Sequence, residues 1–332
     1  MTMRWTKWVK WIAPLWMAAL LLSAVPAHAQ AEEWDWEEES VELNMEDIDA
    51  ALLQRVQQEM KKLAGKEIEL TQAYQTDEMI YLTGANEYDF ASFLIEDIDN
   101  SLYVSAAMSY KEVPNKERQA AEKALTALDG KKKFKFTDVY KAKEAAEKSA
   151  TYYIHSDDAS VVVSNGSVAF AGIDYPAAQA DKKALSRAQE ALKEMSKAAG
   201  VSAPKLTEAI RTKAVDADVW MFNDSDGKAS VVVGTKTGKI WSVSVLDNKP
   251  IDYDQMEKMA KKMSNEKKIA AISPVVKKIF GIDMKGYSVS WSPDYPMMFE
   301  YTKKGQPSIY GIISSSGKFT AISIQPAKGI AE

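Results

Sequence analysis

Beyond its first thirty residues the chain has one histidine, His155, and nowhere does it have a cysteine. That narrows its chemistry sharply. Zinc sites built from His and Cys need about three or four such ligands, so they are excluded, and so is a thiol nucleophile. Any Ser–His–Asp relay would have to run through His155. His155-Ser156-Asp157-Asp158 and Asn223-Asp224-Ser225-Asp226 occupy the same place between two expected strands. A polar turn accounts for both, so His155 is expected to be structural. The second turn, continued by Gly227-Lys228, invites a calcium reading. An EF-hand loop wants oxygen ligands at fixed places before its glycine and a Glu after it. Phe222 occupies the first ligand place and Val233 the last, so the pattern fails. Carboxylate pairs such as Asp97 with Asp99 or Glu87 with Asp89 are common among 47 acidic residues. A glycosidase pair is defined by separation across a cleft, which sequence proximity does not supply. The residues therefore predict no catalytic centre, no cofactor and no metal, and a hydrolase is the least favoured reading.

Two stretches carry binding chemistry instead. Lys131-Lys132-Lys133-Phe134-Lys135-Phe136 alternates charge and ring, as a stripe for an anionic polymer would. An edge strand with Phe134 and Phe136 turned inward and its lysines in water explains the same pattern more simply. Trp220, Trp241 and Trp291, with Tyr287, Tyr295 and Tyr301, enrich the C-terminal part in aromatics. Filling of the core accounts for most large rings. Trp291-Ser292-Pro293-Asp294-Tyr295-Pro296 is the most loop-like of these sites. The expected binding surface is Trp291, Tyr295, Lys131, Lys132 and Lys133.

The start of the chain reads as an export signal. Arg4, Lys7 and Lys10 precede an apolar run from Trp11 to Val25, and Ala27-His28-Ala29 offers small residues for cleavage. The run is short for a membrane span, which needs about 20 apolar residues. No span is expected once residues 1–29 are removed. Loss of the three cations takes the net charge from −5 to −8, which argues against nucleic acid as a partner. The expected location is extracytoplasmic, secreted or wall-associated, and the lack of cysteine fits a Gram-positive source. Glu32-Glu33-Trp34-Asp35-Trp36-Glu37-Glu38-Glu39 repels itself and predicts a solvated linker over 30–44.

The elements that would position these residues recur along the chain. Ala159–Val163, Asn165-Gly166 and Val168–Ala171 read as strand, turn and strand. So do Ala229–Val233, Thr237-Gly238 and Ile240–Val243, and again Ser308–Ile313, Ser316-Gly317 and Phe319–Ile322. Asp99-Asn100-Ser101 before Leu102 is a weaker copy without the glycine. Apolar residues three and four apart predict helices: Leu52, Leu53, Val56, Met60 and Leu63; then Ala120, Ala121, Ala124, Leu125 and Leu128. Ala184, Leu185, Ala188, Leu192 and Met195 form a third stripe, and Met256, Met259, Ala260 and Met263 a fourth. The expected fold is α+β, with about four tandem units, each one helix packed across its own small antiparallel sheet. The units would span 45–112, 113–175, 176–250 and 251–332.

Helix, strands and a hairpin carrying Gly-Lys-Ile, best seen over Ala229–Val245 and Ser308–Ile324, resemble the PepSY group of exported bacterial repeats, including YcdB/YcdC-type proteins. The resemblance implies a cystatin-like fold and a non-catalytic module that inhibits or chaperones peptidases, or binds at the envelope. The expected function is that of a secreted or cell-envelope binding protein with a protein partner, a peptidase among the candidates. The alternative is a protein that binds cell-wall polymer or polysaccharide.

Overall fold

The computed structural model describes residues 41–144, 147–246, 253–291, 297–326 and 331–332. The expected signal peptide, the acidic tryptophan segment and Tyr295 lie outside these residues. The chain divides at Ile173 and Asp174 into two compact units.

In the first unit, β1 (Val41–Leu43) precedes α1 (Ala50–Ala64) and four strands: β2 (Leu70–Gln75), β3 (Met79–Gly84), β4 (Phe90–Leu94) and β5 (Tyr103–Met108). A single helical turn, α2 (Ile98–Ser101), stands where the sequence suggested a tight hairpin turn. Then come α3 (Asn115–Leu128), β6 (Phe136–Glu144), β7 (Thr151–Ser156), β8 (Ala159–Ser164) and β9 (Ser167–Pro176). Val41–Leu43, within the expected linker, pair with β2 through Val41↔Gln75 to Leu43↔Ala73. The Asp49 carboxylate caps α1 by accepting from the backbone N–H groups of Ala51 and Leu52 at 2.9 and 3.0 Å. Gly65, at φ 77°, ends it in the left-handed conformation that a side chain would strain. Its stripe of Val56, Met60 and Leu63 is buried against Leu82, Phe93, Leu102 and Val104. Each such side chain contributes roughly 1.5–3 kcal/mol by leaving water.

The second unit holds α4 (Lys182–Ala199), β10 (Glu208–Ala214), β11 (Asp218–Asn223), β12 (Ala229–Gly234) and β13 (Ile240–Val245). It continues with α5 (Tyr253–Lys262), α6 (Asn265–Phe280), β14 (Ser288–Trp291), β15 (Met298–Thr302), β16 (Ser308–Ile313) and β17 (Phe319–Gln325). Leu192 and Met195 of α4 enter a core with Phe222, Val243, Phe299 and Ile322. α6 was not among the expected helices. It contains Pro274, which removes a helical hydrogen bond and crowds the preceding turn. Ile272, Val276 and Phe280, buried four residues apart, hold the helix in spite of it.

Four tandem units, each with its own small sheet, are not what the chain forms. Among the described residues, the strands of each unit join into one continuous antiparallel run, β1 to β9 in the first and β10 to β17 in the second, with six helices in all. In the first unit β5 pairs with β6 from Tyr103↔Glu144 to Met108↔Val139, straight across the boundary expected at residue 113. In the second, β13 pairs with β17 through Ser242↔Ser323, Val243↔Ile322 and Ser244↔Ala321. The cause is backbone chemistry: each small sheet would end in edges with unpaired N–H and C=O groups, and joining edges satisfies them. Helix cover follows the longer sheet. α1 packs on β5 and also on β6, while α4 packs on β11, β12, β13 and β17. The three glycine-turn hairpins are β8–β9, β12–β13 and β16–β17, and each shifts register once beside its turn. Among the described residues no helix is long and apolar enough to cross a membrane.

Candidate anion-binding site

Four lysines gather in the first unit, on the face of the sheet that the helices cover. Side chains alternate along a strand, so Val139, Lys141 and Lys143 of β6 share one face. Register fixes which face. Lys141 stands opposite Ala106 and Lys143 opposite Val104, and both partners on β5 are fully buried in the core under α1. On the other side Lys141 pairs with Tyr152 of β7. α1 lies over β5 and β6, whereas α3 lies over β8. Lys141, Lys143 and Tyr152 therefore floor the strip of sheet between the two helices, at positions where an apolar residue would ordinarily stand.

Two more amines complete the wall. Lys62 projects from the last turn of α1, where a cation also offsets the helix dipole. Lys148 comes from the connection between β6 and β7. Together with Leu63, Ala150 and Tyr152, the four lysines line a concavity of about 230 Å³, and among the described residues no carboxylate lines it. Leu63 is buried and Ala150 packs on the core, so the base is apolar and firm.

The nearby acids are only partly engaged with these amines. Lys62 Nζ reaches Glu59 Oε1 at 2.6 Å, but its own side chain stays largely exposed. Lys143 Nζ donates a long 3.5 Å bond to the carbonyl of Glu147. Burial pushes the Lys141 amine below the ordinary lysine range, and Glu112 acts against that shift. Glu112 is itself held by Ser109, whose N–H and hydroxyl donate to it at 2.7 and 2.8 Å. Burial raises the Tyr152 phenol, and the Glu117 carboxylate on α3 raises it further, so it remains a donor. Two ammonium groups about 7 Å apart at an effective dielectric constant near 40 repel by roughly 1 kcal/mol. An anion entering the concavity relieves that repulsion.

The residues singled out from sequence lie elsewhere. Lys131 and Lys133 are exposed, and Lys132 is half-buried with Nζ 2.8 Å from Asp158 Oδ2. Phe134 and Phe136 are half-buried, and Phe136 lies 4.5 Å from the ring of Tyr110. None of the three lysines lines the concavity. Trp291 is half-buried at the end of β14 and packs on the second unit's core, its ring 5.7 Å from Lys268 Nζ.

No family model, curated protein or solved structure matches the chain.

His155 is not in a turn. It belongs to β7, is buried, and its Nδ1 lies 2.9 Å from Ser160 Oγ on the facing residue of β8. Its ring stacks near Tyr140, which in turn lies between Tyr88 and Tyr153 at 4.7 and 4.6 Å. Burial depresses the imidazole pKa to about 4, so it is neutral at ordinary pH. The acidic turn after β11 is closed by Asp224, whose carboxylate accepts from the Ala229 N–H at 2.6 Å, with Gly227 at φ 73°. Lysines at 141 and 143 carried a legible signal, two cations spaced by two beside Val139. Only the register shows that they face inward.

Proposed function

We propose that this chain is an exported, non-catalytic binding protein whose ligand is anionic, and that Lys62, Lys141, Lys143 and Lys148 hold it. One observation carries the reading: an acidic protein gathers four cations around one concavity, and among the described residues no carboxylate stands in its lining. Like charges so gathered cost stability until a counter-charge arrives, which is the usual signature of a binding site. The closed surroundings of His155 support the non-catalytic part, because no substrate reaches its ring. The leader sequence supports export, and the wall offers anionic polymers to a protein delivered there.

Titration calorimetry of the full chain with a soluble anionic polymer at low salt tests this. Binding that weakens with salt and is lost on Lys141→Gln/Lys143→Gln, with the circular dichroism spectrum unchanged, is the expected outcome. No measurable heat with any polyanion at 20 mM salt sinks the reading.

A second reading, a peptidase inhibitor or chaperone of PepSY type, is supported by the form of β12–β13 and β16–β17. A pull-down from wall and supernatant fractions that recovers no peptidase counts against it.

A further inference from the structure

The strands β10 to β13 pair antiparallel with one another, but one bridge beside them runs the other way. Ala331 pairs in parallel with Ala217, in the connection between β10 and β11. Its N–H donates to the Asp216 carbonyl at 2.9 Å, and its carbonyl accepts from the Asp218 N–H at 2.8 Å. Three consecutive residues of one turn thus satisfy both backbone groups of Ala331, as they would those of an added strand. Ala217 and Ala331 are both buried, Ala331 completely, so the space around that methyl group is closed.

The following residue is met from the other side. Glu332 lies against Gly234, the last residue of β12, where any Cβ would collide with the Glu332 backbone. Gly234 is not among the glycines of positive φ, so the close approach is what its missing side chain serves. The Thr237 hydroxyl donates to the Glu332 backbone oxygen. The turn aims that hydroxyl, because its oxygen accepts from the Lys239 N–H at 3.2 Å. Lys236 completes the contacts, its Nζ 2.5 Å from Glu332 Oε2. An occupant of this notch therefore needs extended backbone, a small side chain first and a carboxylate second. Main-chain bonds of this kind supply affinity, and the places for side chains supply selectivity.

The notch holds what fills it lightly. The bridge supplies two main-chain bonds, and the ion pair stands in water, the Lys236 side chain being 66% exposed. We infer that the notch between the β10–β11 and β12–β13 turns is a peptide-binding site for an extended small-residue–acidic sequence, and that Ala331-Glu332 fills it as a displaceable internal ligand. The chemistry of the ligand is that of the segment already seated there. When the bridge opens, the Asp218 N–H, the Thr237 hydroxyl and Lys236 face one gap beside Gly234 as donors for a peptide of the same pattern. No residue of the lysine concavity takes part, so the two sites are tested independently.

The probe is a fluorescent peptide of the sequence Lys-Gly-Ile-Ala-Glu, residues 328–332, capped at both ends. Its binding to the full chain is read by fluorescence anisotropy. Ala331→Trp/Glu332→Lys in the full chain empties the notch, since the closed space takes no indole and Lys236 repels the new amine. The peptide should bind that variant at least about tenfold tighter than the unaltered chain, where the internal segment competes at high effective concentration. Adding Gly234→Ala to the emptied variant should weaken binding by about tenfold or more, because the new methyl group fills the peptide's place. Should the larger variant fail to fold, Glu332→Gln keeps the shape and removes only the ion pair, and the peptide should then gain about threefold over the unaltered chain. Equal affinity for the unaltered chain and for whichever of these two variants folds overturns the site, as does absence of binding to that variant at about 1 mM peptide. A peptide with tryptophan in place of its alanine, or lysine in place of its glutamate, should lose binding. Undiminished binding of either one overturns the small-residue–acidic rule.

Discussion

Each unit has a concavity beside a helix, and their charges differ in kind. In the second unit α4 and α6 touch. Arg187, Glu190, Lys193 and Glu194 of α4, with Lys278 of α6, surround an apolar floor that includes Ile240, in a space of about 270 Å³. Cations and anions alternate there, and Arg187 lies 3.7 Å from Glu190 one turn along the helix. Such a surface is neutralised by its own neighbours and is explained by the solvated faces of two helices. In the first unit the helices stand apart over the sheet, and what fills the gap is four amines. Mixed charges around the second concavity maintain a surface; Lys141 and Lys143 on a core-facing strand, with no carboxylate among the described residues in the lining, mark a place for something else.

The sharpest way to test that contrast is through the two helices' anchors. Met60 under α1 and Met195 under α4 are both fully buried. Truncating either to alanine should cost about 2–5 kcal/mol by denaturant melting. Met60→Ala should also weaken polyanion binding, because α1 carries Lys62, while Met195→Ala should leave it unchanged. Equal losses of affinity would mean that the two concavities do not differ in function.

Acid separates the units next. The folded pKa of His155 lies near 4, below the ordinary value of 6.5. Below 6.5 the unfolded chain binds a proton that the folded one refuses, so stability is fully present above that pH and falls as pH drops toward 4. The loss is about 3 kcal/mol. Hydrogen exchange on the full chain should show amides of β6 to β8 losing protection across that window before those of β11 to β13. His155→Gln should flatten the difference. Protection lost in the two regions together would contradict the assignment to His155.

Charge reversal is a comparable effect on binding. Lys141→Glu/Lys143→Glu should cut affinity for a soluble polyanion by about 100-fold or more, since each change removes an attraction and adds a repulsion. Lys193→Glu/Lys278→Glu in the second unit should change it by less than about twofold. The smallest effect belongs to the stripe after α3: Lys131→Gln/Lys133→Gln should weaken binding less than about threefold, through general field alone. A larger loss there would return the site to the position read from sequence.

Local patterns were readable from the chain and distant pairings were not. The stripes of α1, α3 and α4 showed in the spacing of Val56 and Met60, of Ala121 and Leu125, and of Ala188 and Leu192. The glycine turns showed their hairpins because Gly166 and Gly238 sit at φ 72° and 64°, which few other residues accept. Nothing local told β5 to pair with β6, or β13 with β17, since the alternation of a strand specifies a face and not a neighbour. That missing neighbour split each unit's continuous sheet into two small ones. It also hid the site, because Lys141 and Lys143 were not singled out until Ala106 and Val104 were placed beside them. Pro274 concealed α6 in a similar way: the local rule breaks a helix there, and burial of Ile272 and Val276 overrides it.

Lysine reactivity offers the most direct test of the central claim. The full chain is pulsed with a water-soluble acetylating ester, with and without a soluble anionic polymer, and each lysine's extent of modification is read by mass spectrometry. Lys62, Lys141, Lys143 and Lys148 should be protected together by about fivefold or more at low salt, and the protection should vanish at high salt, while Lys193 and Lys278 react unchanged. Protection that spreads evenly over all lysines, or that falls on Lys193 and Lys278 instead, would contradict the claim that the cations between α1 and α3 form the binding site.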